Sequence, residues 1–137
     1  WLDASRFVED QDDEKFFFTT FQQWMRLCFK AAVGELVDFS NNIKSVGREK
    51  QKSLLQYGVK IVRNALLFNN NLADIVMLPA DEKTFGSKFA PFINPANLAQ
   101  IVELLEESTR QIERNGYAPL IFMDTSLKMV KLLKVKG

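Results

Sequence analysis

The 137-residue chain contains no histidine and a single cysteine, Cys28. Without histidine it lacks the commonest general base, the commonest metal ligand and every serine–histidine or cysteine–histidine nucleophile scheme. One cysteine permits no internal disulfide and, with no histidine, leaves a structural zinc site without ligands. Cys28 lies in the apolar stretch WMRLCFK, where a free thiol behaves as a small hydrophobe, and a reducing compartment, the cytoplasm, is the simple reading. No apolar run approaches the ~18 residues of a membrane span, and no signal-peptide pattern opens the chain. The formal net charge is +1, so charge gives no lead toward nucleic acid. The chain begins at Trp1 rather than methionine and is read as a fragment of a longer protein.

What is present is apolar and aromatic. Hydrophobic residues make up 47% of the chain and twelve are phenylalanine. That is enough for one domain with a real core and no covalent staples. Residues 1–13, ending in an acidic run, have no clear period and read as a linker or N-terminal arm, with Asp12 or Asp13 capping the helix that follows. From Glu14 to Lys30, Phe17, Phe21, Met25 and Cys28 recur at three to four residues, which predicts a helix. A second helix is expected over Val33–Lys44, with Val33, Leu36, Val37 and Ile43 inward. A third follows over Gly47–Asn69, capped by Ser45 and ended by the Asn69–Asn71 triplet. Asp81 is placed to cap a short helix ending near Phe89. Asn94 and Pro95 form a strong start signal for a helix that Gly116 closes. Pro119 opens the last helix, with Leu120, Ile121, Met123, Leu127, Val130 and Leu133 inward and Lys128, Lys131 and Lys134 outward. The expectation is an all-α fold, a compact bundle of about five to six helices with short connections.

Gly47, Arg48, Glu49 and Lys50 raise the question of a phosphate site. A phosphate cradle needs several glycines or a GxxxxGK[ST] pattern; Gly47 stands alone and the chain has no GK[ST]. The stretch therefore reads as a helix start whose cations sit slightly unfavourably on the helix dipole. Glu103, Glu106 and Glu107 read as a solvated helix face, with Glu106 and Arg110 four apart as a supportive pair. Asp124 could cap, face water or pair with a lysine. No catalytic, cofactor-binding or metal-ligating residue is assigned. Phe16, Phe17 and Phe18 cannot all face one core at 100° per residue. Phe16 falls on the side of Thr20, Gln23 and Leu27, where either a neighbouring element covers it or a partner does. Phe122, beside Met123, raises the same question. Phe16 and Phe122 are thus the candidate apolar contacts, and Arg48 and Lys52 the candidate rim charges.

Three stretches carry a resemblance: WMRLCFK (24–30), GREKQKSLLQY (47–57) and FAPFIN (89–94), with RNGYAPLIFMDTSLKM (114–129) similar to the ending of clamp-loader subunits. Over about residues 14–134 the chain resembles the C-terminal collar domains of delta-prime subunits of bacterial DNA polymerase III, of the Bacteroidetes type. The resemblance implies a non-catalytic helical collar over residues 14–137. It implies packing against the collars of gamma/tau and delta subunits, in the pentamer that loads the sliding clamp on primed DNA. It implies no cofactor, no direct nucleic-acid contact and no membrane; ATP use, zinc and arginine-finger motifs would lie in other domains of such subunits. The alternative is a free-standing helical protein–protein adaptor. A helix-pair repeat of that kind would show a period near 34 residues, and none is visible.

Overall fold

The computed structural model describes the backbone of residues 4–135 and the side chains of residues 15–72 and 74–135. Six α-helices form an all-α bundle, and no strand occurs among the described residues. They are α1 (Ala4–Lys30), α2 (Val33–Asn42), α3 (Arg48–Asn69), α4 (Ala80–Phe89), α5 (Leu98–Glu113) and α6 (Ala118–Leu132). Short 3₁₀ turns at Ile43–Val46, Ala73–Ile75 and Ala90–Phe92 join them. The long α3 packs along α5, α6 lies between α2 and α5, and α1 crosses α3 and α6.

The core is aromatic where α1 meets its neighbours. Trp24 stacks on Phe39 of α2, with centroids 5.7 Å apart, and packs against Phe122 of α6 at 5.4 Å. Phe21, one turn earlier, meets Tyr57, Phe85 and Phe89 edge to face. Such pairs add ~0.5–1.5 kcal/mol each beyond the area they bury. Leu54, Leu55, Ile101 and Leu105 fill the space between α3 and α5.

Helix starts depart from the sequence expectation. α1 begins at Ala4, ten residues before Glu14, so Asp12 and Asp13 lie within the helix and do not cap it. Residues 1–3 lie outside the described residues, as do the side chains of residues 4–14. Ser45 does not cap α3. Its hydroxyl donates to the Asn42 carbonyl inside a 3₁₀ turn, and the cap position is Gly47, with φ 87° and ψ 159°. That backbone region is essentially closed to residues with a Cβ. The glycine therefore serves the turn into α3. Asp81 lies in the first turn of α4 rather than at its cap, which is Pro79.

Asn94 is not the N-cap of α5: the helix starts at Leu98 with Asn97 at the cap position, and Pro95 lies in the turn before it rather than at the first helical position. Asn94 Oδ1 accepts the Ala96 and Asn97 amides at 2.8 and 3.1 Å, and Asn97 Oδ1 accepts the Asn94 amide at 2.9 Å. This reciprocal pair closes the turn that leads into α5. At the other end of α5 the left-handed residue is Asn115 (φ 65°), not Gly116. The Gly116 amide bonds the Gln111 carbonyl at 2.9 Å, closing a Schellman turn. Gly116 is needed for space: a Cβ there would stand 2.5 Å from Ile121 Cδ1.

Two helices are rotated relative to the expectation. On α2 the buried residues are Leu36, Phe39 and Ser40, while Val33 and Val37 are exposed. On α6 the buried set is Ala118, Pro119, Ile121, Phe122, Thr125, Ser126 and Met129, while Leu120 and Leu127 face outward. On α6 the reason is hydroxyl chemistry. Thr125 and Ser126 return their hydroxyls to the carbonyls of Ile121 and Phe122, one turn back. Ser126 Oγ also accepts Trp24 Nε1–H at 2.7 Å, and the Thr125 hydroxyl meets that of Ser108. Thus satisfied, two polar residues take core positions that periodicity assigned to aliphatic ones.

Candidate interaction surface

The four residues singled out from the sequence do not come together. Phe122 is 0% exposed, among Trp24 and Phe39. The expectation that it reaches a partner is corrected: it sits on the core stripe of α6, three residues before Thr125 and seven before Met129. Phe16 is half-buried at a groove of about 350 Å³ between α1 and α2, together with Thr20, Gln23 and Leu27, the residues that share its helix face. Its ring meets Phe17 edge to face at 5.6 Å, and Lys50 Nζ stands 5.5 Å from its centroid. Arg48 is exposed, and Lys52, partly buried, pairs with Glu49 at 3.3 Å. At 100° per residue both lie about 160° around α3 from Lys50, away from Phe16.

The surface that sequence reasoning missed is a seam between α2 and α6. Phe39 meets Phe122, Ser40 lies against Met123 Sδ at 3.9 Å, and Lys44 Nζ stands over the Tyr117 ring at 5.3 Å. As α2 advances α6 recedes, so the two helices are antiparallel. Val33 and Val37 share the side of α2 that carries Ser40, which lies against Met123 of α6. Leu120 and Leu127 share the side of α6 that carries Met123, toward α2. The seam therefore carries four exposed aliphatic side chains on two adjacent helices: Val33 is 52% exposed and Leu120 69%, with Val37 and Leu127 also in water. Exposed Asn41 and Asp124 border it. The signal for it was present in the pairing of Phe122 with Met129, seven residues apart, which fixes the core stripe once Thr125 and Ser126 are allowed inside.

The charged residues are arranged as solvated pairs. Arg110 bridges Glu103 and Glu107, each at 2.7 Å, and Glu106 pairs with Arg63 on α3 at 3.3 Å rather than with Arg110. The hydrogen bond from Arg110 holds the Glu107 carboxyl below its usual range. Asp124 pairs with Lys128 at 2.9 Å. Among the described residues, no three carboxylate or thiol side chains are grouped so as to hold a metal ion, and no helix is long and apolar enough to cross a membrane. Cys28 is buried, with Sγ 3.9 Å from the Ser126 carbonyl, and burial pushes its thiol up to about 12.

Comparison with known protein families, curated proteins and solved structures gives no match to this chain.

Proposed function

We propose that this chain is a non-catalytic oligomerisation module: a clamp-loader collar of the delta-prime type, acting in the cytoplasm within bacterial DNA polymerase III. Its partners in that role are the collars of gamma/tau and delta subunits. The word patterns at residues 24–30, 47–57 and 89–94 support the family, and the all-α bundle is compatible with it. The observation that carries the assembly role is the α2–α6 seam. Four large aliphatic side chains stand in water on two adjacent helices of a bundle whose core is otherwise well filled. Apolar strips with polar borders mark protein-contact surfaces. Val33, Val37, Leu120 and Leu127 replace Phe122 as the apolar contacts of the module.

The test is size-exclusion chromatography with light scattering, on the chain alone and mixed with a gamma/tau collar. The expected result is a mixed species that disappears with Val37→Asp or Leu120→Asp while far-UV helicity is kept. A mixture that shows no mixed species, or a mixed species insensitive to both substitutions, overturns the assignment of the seam. The free-standing adaptor then becomes the better reading.

A further inference from the structure

We infer that the groove between α5 and α6 takes a second copy of this chain, forming a two-fold dimer with a four-helix bundle at its centre. The groove measures about 760 Å³. Its floor is apolar, with Ala99 and Leu104 from α5 and Leu132 from α6. Its walls carry opposite charge: Glu103 and Glu107 on the α5 side, Lys128 and Lys131 on the α6 side.

The two helices form an antiparallel hairpin through the turn at Asn115 and Gly116, and the contact between Ser108 and Thr125 fixes their relative level. Counting five residues back from Ser108 gives Glu103, and six on from Thr125 gives Lys131. At 1.5 Å per residue the two stand level across the groove. Glu107 and Lys128 are level to within about two residues by the same count.

This order of acid wall, apolar floor and basic wall is complementary to itself under one operation. A two-fold axis running along the groove lays α5 of one copy over α6 of the other at the same level, antiparallel to it. Glu103 then faces Lys131 of the second copy, and Lys131 faces its Glu103. A two-fold across the groove would set like charges together, so the charge pattern selects the register as well as the occupant. Of the four charges, Lys128 already pairs with Asp124 in the monomer. Lys131 makes no ion pair among the described residues, and Glu103 and Glu107 share the single cation Arg110. Three apolar side chains fall short of the ~800 Å² per partner of a standard interface, so the dimer is weak and salt-sensitive. It uses a different part of the surface from the α2–α6 seam and stands whether or not the clamp-loader assignment holds.

The test is sedimentation equilibrium of the chain alone between about 10 and 300 µM, at ~50 and ~500 mM salt. The expected mass rises from 15.7 kDa toward twice that value with concentration. Association weakens by about tenfold or more at high salt, in Glu103→Lys and in Lys131→Glu, since each change occurs twice per dimer. The two single variants mixed together associate again, and so does the double variant carrying both changes. Circular dichroism of each variant checks that the helices persist. A chain that stays monomeric throughout overturns the inference. So does self-association that the single reversals leave unchanged, or that the mixture and the double variant fail to restore.

Discussion

Three helix ends show how far a single residue's backbone preference reaches. Asn71 and Asn115 take positive φ just beyond α3 and α5, as asparagine does more readily than other residues with a Cβ. Ala31 does the same beyond α1, at φ 51°, with no such preference, because the Ala32 amide must reach the Leu27 carbonyl to close the turn. Gly47 answers the question its basic neighbours raise: its φ of 87° serves a turn into α3. Cys28 carries a pH consequence. Its thiol rises from an ordinary 9.0 to about 12 through burial. The folded state therefore keeps a proton that the unfolded state gives up. The stabilisation is complete below pH 9 and is lost as pH rises from about 9 to 12. Urea titrations of the wild type and Cys28→Ala at about pH 7.5 and 10.5 measure it. The wild type is expected to lose about 2 kcal/mol more than the variant over that interval.

At the scale of elements, α6 shows why periodicity of apolar residues alone gives a wrong face. Its aliphatic residues are spread around the helix, and only the hydrogen bonds of Thr125 and Ser126 mark which side goes in. The join between α5 and α6 depends on asparagine in the same manner. Asn97 is fully buried; its Nδ2 donates to the carbonyls of Phe92 and Leu132 at 3.0 and 2.9 Å, and its Oδ1 holds the Asn94 amide. Asn94 Nδ2 adds a bond to the Val135 carbonyl at 2.8 Å. One side chain thus satisfies three backbone groups from the start of α5 and the end of α6. Asn97→Ala leaves those groups without partners and is expected to cost about 2–3 kcal/mol by urea denaturation. Amide exchange is expected to accelerate first at Asn94, whose N–H the side chain of Asn97 accepts.

For the whole molecule, the difference between Phe122 and Leu120 is decided by packing. Two residues apart, one is enclosed by Trp24 and Phe39 and the other stands in water. Phe122→Ala is expected to cost about 3–5 kcal/mol, through the buried area lost and the cavity left. Leu120→Ala is expected to stay within about 0.5 kcal/mol, and chemical denaturation of the pair measures the contrast. By itself the sequence determined the all-α class, a count of five to six helices, the C-terminal ends of most of them and the aromatic composition of the core. These follow from spacing, proline and asparagine signals and hydrophobic content, all of which act within a few residues. It did not determine the start of α1, whose first turns carry no apolar stripe, nor which faces of α2 and α6 turn inward. Those faces depend on partners distant in the chain: Trp24 reaches Ser126, Ser108 reaches Thr125, and Phe39 reaches Phe122. A hydroxyl is a core residue only when such a partner is in place. Only the tertiary structure therefore decided that Val33, Val37, Leu120 and Leu127 form a surface, because what is left outside is fixed by what the other helices have covered.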